Sequence, residues 1–176
     1  MNPAQRRFLR VIKHRTARVA IAASAARGPG NKGVVETARQ FMFDVNLARF
    51  AARDRAAFNR PLDGHTLRLM AKLPERGASW GLARKLLNIF LRDCLYTRYL
   101  SERYGLASAE DLFEIPLDSI TAKRIRQVEP DLPRWRGVRH LDPAVSAAYQ
   151  AAALSAAKRK RTSRVHLDAY WWGARE

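Results

Sequence analysis

The sequence predicts an all-α fold of about eight helices, because three observations point the same way. Apolar residues recur at helical spacing along nearly the whole chain, and no segment sustains the alternation of a half-buried strand. Apolar residues make up 47% of the chain, enough to bury a core, which excludes a wholly disordered basic protein. A length of 176 residues fits a single unit, with residues 1–33 as a basic helix and loop and residues 34–176 as the core.

The N-terminal part of the chain predicts two helices separated by a loop. The first is a basic helix that ends near Ala26. Glycines and a proline mark residues 27–33 as the loop, and the second helix covers residues 34–52. A turn at residues 60–64 and a short helix over His65–Lys72 follow.

The longest apolar segment, Leu82–Tyr104, predicts the central helix of the core, because apolar residues occupy most of its circumference. Gly105 is the expected stop of this helix. The remaining segments are, in order, one or two turns over residues 108–113, a helix over residues 118–128, an irregular arm between Pro130 and Pro143, an Ala-rich helix over residues 144–161 and an apolar tail over residues 165–172.

Charge is the strongest indication of a partner. The chain carries 33 Lys and Arg against 16 Asp and Glu, a formal net charge of +17. Such a field attracts polyanions, so nucleic acid is the first expected partner and an anionic membrane surface the second. The basic residues are densest in residues 1–33, 123–139 and 158–164.

Several classes of protein are excluded by what the sequence lacks. Cys94 is the single cysteine, so no disulfide scaffold forms within the chain. We find no run of 18 apolar residues and no secretory pattern at the N-terminus, so we expect a protein of the reducing cytoplasm that spans no membrane. We also expect a monomer, associated with the nucleoid if the source is bacterial. Nucleotide-binding glycine motifs are missing and the four histidines lie far apart, so we expect no cofactor and no metal.

A glycine-rich segment over residues 77–85 opens the predicted central helix and puts Lys85 on its first turn. A helix N-terminus suits a phosphate, because its N–H groups are unpaired. The helix dipole also disfavours a charged amine there and favours the neutral form that a nucleophilic lysine needs. Taken alone, this feature is better explained by a solvated lysine.

A second segment, Ile115–Ser119, places Asp118 after a proline at the start of a helix. The N–H groups and the dipole of a helix stabilise an anion at this point. One interpretation is an ordinary N-cap aspartate. The other is a carboxylate that is kept charged in order to stabilise an oxocarbenium-like cation.

Together these two segments resemble the helix-hairpin-helix DNA glycosylase superfamily. That family opens a helix with a hairpin and a catalytic lysine, in a pattern like LPGxGxK, and later places a catalytic aspartate in a pattern like PVDxHVxR. Here Leu73–Lys85 takes the first place and Ile115–Arg124 the second. The separation of 33 positions from Lys85 to Asp118 is longer than in many members and looks more like the archaeal 8-oxoguanine glycosylase branch.

A third segment, Val165–Trp172, is similar to the C-terminal His-Leu-Asp-x-x-x-Trp segment of that branch, whose aspartate and tryptophan hold the extruded base. Asp168 and Trp172 take these two places, one helical turn apart. The chain departs from the family at the hairpin, where Gly77 and Gly81 are four residues apart and Trp80 lies between them.

The resemblance implies a cleft between helical lobes and a DNA glycosylase, with or without lyase activity at the abasic site. Its substrate would be double-stranded DNA with a damaged or modified base, either an oxidised purine such as 8-oxoguanine or a hypermodified base. The alternatives are a non-catalytic DNA-binding module and a basic RNA-associated structural protein. The candidate residues are Lys85 and Asp118 for catalysis; Asp168, Trp172 and Gln40 for the base; and Gly77, Trp80, Gly81, Asn31, Lys32, Lys158, Arg159, Lys160 and Arg161 for the DNA backbone.

Overall fold

The computed structural model describes residues 1–26 and 33–173, and every regular element in these two stretches is helical. This confirms the all-α prediction. Short 3-10 turns connect most of the α-helices. In chain order the α-helices of the described residues are α1 Pro3–Ala20, α2 Val34–Asp44, α3 Arg55–Lys72, α4 Trp80–Tyr96, α5 Arg98–Tyr104, α6 Ser119–Val128, α7 Pro143–Arg159 and α8 Leu167–Gly173.

The predicted turn at residues 60–64 is wrong, because α3 runs straight through it. Asp54 caps this helix by accepting a hydrogen bond from the backbone N–H of Ala57 at 2.8 Å. Phe58, Leu62 and Leu69 are fully buried on one side of α3. The burial of this face outweighs the weak helix propensity of a proline and a glycine in the interior.

Two further helix boundaries differ from the predictions. The helix expected over residues 34–52 ends at Asp44, and a separate 3-10 turn covers Leu47–Phe50. The single long helix expected over Leu82–Tyr104 is divided at Thr97, whose backbone is extended and whose hydroxyl donates to the carbonyl of Asp93 at 2.7 Å. Gly105 ends α5 as expected, with a left-handed φ of 67°.

Buried apolar side chains form two clusters. The first cluster fills the space between α1, α2, α3, α4 and α5. The second cluster lies between α6, α7 and α8, and Trp80 at the start of α4 packs against it. Helix α4 therefore contributes to both clusters, and a cleft opens where they meet. Within residues 1–26 and 33–173, no helix combines the length and apolarity that a bilayer crossing requires.

Residues 130–142, which we call the arm, are irregular apart from a 3-10 turn at Val138–His140. The arm is held against α7 by Tyr149, whose hydroxyl donates to the carbonyl of Pro133 at 2.8 Å and whose ring meets Trp135 edge-on. It also lies directly on α4, because a Cβ added to Gly81 would be 2.1 Å from the carbonyl oxygen of Val138. Only a glycine permits this approach.

We expect Gly81→Ala to lower the free energy of unfolding by roughly 1–3 kcal/mol, because the backbone of the arm must move away. Gly64→Ala is the matched control, since a Cβ at this α3 position meets nothing within 4 Å. The control should raise stability by roughly 0.5–1 kcal/mol. Urea denaturation of the two variants measures both effects. Equal stabilities would contradict the close packing of the arm on α4.

Candidate active site

Lys85 and Asp118, 33 residues apart in the sequence, face each other across the cleft between the two clusters. The Lys85 Nζ lies 3.9 Å from the Asp118 Oδ2, and the two side chains are 12% and 18% exposed. The cleft has a volume of about 420 Å³. Its polar lining includes Lys85, Arg92, Asp93, Tyr96, Asp118 and Asp168.

The two oxygens of the Asp118 carboxylate have different partners. Oδ1 accepts hydrogen bonds from the backbone N–H groups of Ile120 at 2.9 Å and Thr121 at 3.0 Å, so it caps α6. The Asp118 backbone N–H in turn donates to the hydroxyl of Thr121 at 2.8 Å, which completes a capping box. The N-cap interpretation is therefore confirmed, while Oδ2 stays directed at Lys85.

Lys85 lies in the second turn of α4, and not in the first turn that the sequence predicts. The helix begins at Trp80, and the Ser79 hydroxyl caps it by accepting from the N–H of Leu82. Because the dipole acts mainly within the first turn, it does not dominate the environment of the amine. The Lys85 Nζ instead donates to the carbonyl of Ala25 at 3.0 Å and faces the carboxylate of Asp118.

Asp118 reaches the cleft because the extended segment before it, residues 113–117, is fastened to α4 and α7. Arg84 donates from Nε to one Glu114 oxygen at 2.8 Å and from Nη2 to the other at 2.9 Å. Burial opposes the ionisation of Glu114, yet the guanidinium of Arg84 holds the pKa of Glu114 below its ordinary value. The side-chain amide of Gln150 pairs with both backbone groups of Ile115, at 3.1 and 2.8 Å.

Arg164 strengthens the same segment from the other side. Its guanidinium is buried and donates to the backbone carbonyls of Phe113 at 2.8 Å and Leu112 at 3.1 Å. Burial lowers the pKa of Arg164 to about 10. Although Arg164 and Asp168 are four residues apart, they do not pair, because Arg164 donates to backbone carbonyls and Asp168 accepts from Arg92.

Asp168 lies on α8 at the wall of the cleft and is 3% exposed. Its Oδ2 accepts a hydrogen bond from Arg92, whereas Oδ1 is buried and has no hydrogen-bond partner in the described residues. Burial raises the pKa of Asp168 from its ordinary 3.8 to about 6, and the nearby charge of Asp118 adds to the rise while Arg92 opposes it.

Some predicted contact residues do not lie where the sequence suggests. Gln40 is exposed on α2, donates to Glu36 at 2.8 Å and is not among the residues that line the cleft. Gly77 and Gly81 are buried, and Trp80 is partly buried against the second cluster. Contact of these three residues with the DNA backbone stays a prediction.

The other predicted contacts divide into exposed residues and residues outside the described part. Lys158, Arg159, Lys160 and Arg161 are exposed at the C-terminal end of α7 and stay candidates for phosphate contacts. Asn31 and Lys32 lie outside the described residues. The backbone of Trp172 belongs to α8, but its side chain lies outside the described part of the chain.

Sequence reasoning misses Arg92, the partner of Asp168. It lies seven residues after Lys85 on α4, and Ile89 lies between them at four residues. Residues at these spacings share one face of a helix. The two basic residues, Lys85 and Arg92, could therefore be recognised in the sequence as polar groups on one face of a largely apolar helix. The Arg84–Glu114 pair leaves no comparable signal, because its members are 30 residues apart.

Comparison with known proteins finds no matching family, no matching curated protein and no similar solved structure.

We expect Glu114→Gln to lower the free energy of unfolding by about 3–5 kcal/mol, because it leaves the charge of Arg84 without its buried partner. Asp63→Asn is the matched control. Asp63 also contacts Arg84, at 2.7 Å, but its side chain is 57% exposed. Its loss should cost under about 1 kcal/mol. Urea denaturation compares the two variants, and similar losses would contradict a dominant role for Glu114.

Asp168 should make the folded protein less stable as the pH rises from about 4 to about 6. In this range the folded state holds the proton of Asp168 more tightly than the unfolded chain does, so unfolding releases it. Above about pH 6 the effect is complete. The difference in unfolding free energy between the parent and Asp168→Asn should therefore change across this range, as measured by urea denaturation at several pH values. A difference independent of pH would contradict the raised pKa.

Proposed function

We propose that this protein is a helix-hairpin-helix DNA glycosylase that extrudes a damaged or modified base from duplex DNA and cleaves its glycosidic bond. The observation that carries the proposal is the meeting of Lys85 and Asp118, 3.9 Å apart, in an open cleft. The succession of α3, the turn at residues 73–79 and α4 is also compatible with such a hairpin. The net charge of +17 suits a DNA substrate.

The cleft has the features that a base-excision site needs. Its volume of about 420 Å³ lies within the range of small-molecule pockets, about 300–1,000 Å³. The extruded base enters beside Asp168, whose unpartnered Oδ1 accepts a hydrogen bond from a donor on the edge of the base. The resemblance assigns the stacking on the base to Trp172, one turn further along α8.

Asp118 stabilises the cation that forms as the bond from C1′ to the base breaks and its electron pair leaves with the base. Its Oδ1 stays on the N-terminus of α6, so the charge of Oδ2 is held in place and needs no rearrangement during the reaction. Asp118 also receives the proton of the Lys85 ammonium, and the departing base then takes that proton.

The neutral amine of Lys85 attacks C1′ and forms a carbon–nitrogen bond. One proton of the attached nitrogen then moves to the ring oxygen as the C1′–O4′ bond breaks, and a protonated Schiff base results. A proton passes from C2′ to water, and the 3′ phosphate leaves with the electrons of its bond to C3′, which nicks the strand. Water finally hydrolyses the Schiff base and restores Lys85. Where water attacks C1′ in place of Lys85, the base is lost without a nick.

Borohydride trapping on a panel of duplexes tests this function. The panel carries 8-oxoguanine, other oxidised purines and hypermodified bases, and each reaction is scored for abasic sites, nicks and protein–DNA adducts. The parent protein should form an adduct with at least one duplex, and Lys85→Ala should lose it. Lys72→Ala is the control, since this lysine is exposed on α3. Asp118→Asn keeps a capping side chain and should slow base release by about 100-fold or more.

An adduct that persists in Lys85→Ala would show that another amine attacks. Normal base release in Asp118→Asn would remove Asp118 from the chemistry. Binding without base release on every duplex would favour a non-catalytic DNA-binding module, and tighter binding of RNA than of duplex DNA at matched salt would favour an RNA-associated protein.

A further inference from the structure

We propose that the arm and the adjoining face of α6 form the surface that grips the DNA backbone, in the place where a hairpin would otherwise do so. This inference rests on the proposed function for the identity of the nucleic acid. The residues that carry it are three arginines of the arm and two basic residues of α6: Arg134, Arg136, Arg139, Lys123 and Arg126.

Several backbone donors of the hairpin are already engaged. The backbone N–H of Gly77 donates to the carbonyl of Pro74 at 2.7 Å, and that of Ala78 donates to Glu75 at 3.2 Å. The N–H of Leu82 is taken by the Ser79 hydroxyl. The arm also covers the first turn of α4, where Gly81 meets Val138. The arm therefore occupies part of the space at the N-terminus of α4 where a phosphate would approach.

The arm that covers this turn is itself basic, and its arginines are exposed. Arg134, Arg136 and Arg139 are all exposed, and none forms an ion pair with an acidic side chain among the described residues. Glu129 and Asp131 at the start of the arm are exposed too, and neither lies within ion-pair distance of a described basic group. Unpaired guanidinium groups are the side chains best suited to phosphate.

A second cavity of about 420 Å³ lies between the arm and α6. Lys123, Arg126 and Ser119 line it, and all three are exposed. They lie at spacings of four and three residues, so they share one face of the helix. Trp135 forms the opposite side of this cavity, and its Nε1–H is buried without a hydrogen-bond partner in the described part of the chain.

The cavity brings Lys123 and Arg126 together with the indole of Trp135. Trp135 is packed against Tyr149, whose ring centroid is 5.5 Å away. The site is therefore pre-formed by packing in the second cluster. A phosphate oxygen of a nucleic-acid backbone is the ligand that fits this set of donors.

The position of this surface links it to the candidate active site. Asp118 caps the helix that carries Lys123 and Arg126, and Arg126 is about 12 Å further along its axis. Gly81, under the arm, is one turn of α4 before Lys85. A strand held on the arm and α6 would thus run past the mouth of the cleft and present its extruded nucleotide to Lys85 and Asp118.

Fluorescence anisotropy with a duplex containing an abasic-site analogue measures this grip without any chemistry. The variant replaces Arg134, Arg136 and Arg139 by Gln. We expect its Kd to rise about tenfold or more, and the slope of log Kd against log salt to fall by about 0.9 for each lost phosphate contact. A second variant, Lys123→Gln with Arg126→Gln, should also raise the Kd and reduce the salt slope.

The matched control replaces Arg6, Arg7 and Arg10 by Gln. These residues are exposed on the N-terminal part of α1, where Phe8 packs on Tyr99 of α5. Their replacement removes three positive charges, as the arm variant does. The control should keep its Kd within about threefold and its salt slope nearly unchanged. Circular dichroism checks that each variant is folded.

An arm variant that binds like the parent, or a control that loses as much affinity, would overturn the proposal. Tighter binding of a duplex RNA of the same sequence would overturn its assignment to DNA. The readout is independent of trapping. If the arm variant loses binding but the parent forms no adduct, the DNA-binding surface is supported and the glycosylase is rejected. If the parent forms an adduct but the arm variant binds normally, the glycosylase is supported and the surface is rejected.

Discussion

The buried ion pair between Arg84 and Glu114 holds the rest of the candidate site in place. Two charges removed from water destabilise a fold unless each is paired and its remaining sites are bonded. Here both oxygens of Glu114 accept from Arg84, and one also accepts from Asn88 at 2.9 Å. Lys85 follows Arg84 directly on α4, about 100° further around the helix, so the pairing of one side chain directs the next toward the cleft. Asp118 follows Glu114 by four residues.

The cleft exists because one helix serves two hydrophobic clusters. Helix α4 packs with α1 and α3 in the first cluster, while Trp80 at its start packs against the second. Asp118 comes from the second side and Lys85 from the shared helix. The two oxygens of the Asp118 carboxylate have different roles, because one caps α6 and the other faces Lys85. Fold stability and the charge arrangement of the site thus depend on the same side chain.

The sequence predicts local features better than contacts between distant segments. Helical periodicity identifies most of the α-helices, and the proline before Asp118 correctly marks the start of α6. The break at Thr97 and the passage of α3 through Pro61 are missed, because tertiary packing overrides propensity there. The juxtaposition of Lys85 and Asp118 was expected from a resemblance between short segments, and periodicity alone contains no such information. The role of Gly81 could not be predicted, because it depends on the arm, some 57 residues later in the chain.

The single cysteine has a practical consequence for physical studies of this molecule. Cys94 is fully buried in α4, and burial raises the pKa of its thiol well above the ordinary value. The thiol is therefore shielded from alkylating reagents while the fold is intact. A cysteine introduced at an exposed position of the arm would react selectively with a maleimide dye. Cys94 would not need to be replaced first. Labelling of Cys94 itself would then report the opening of the first hydrophobic cluster.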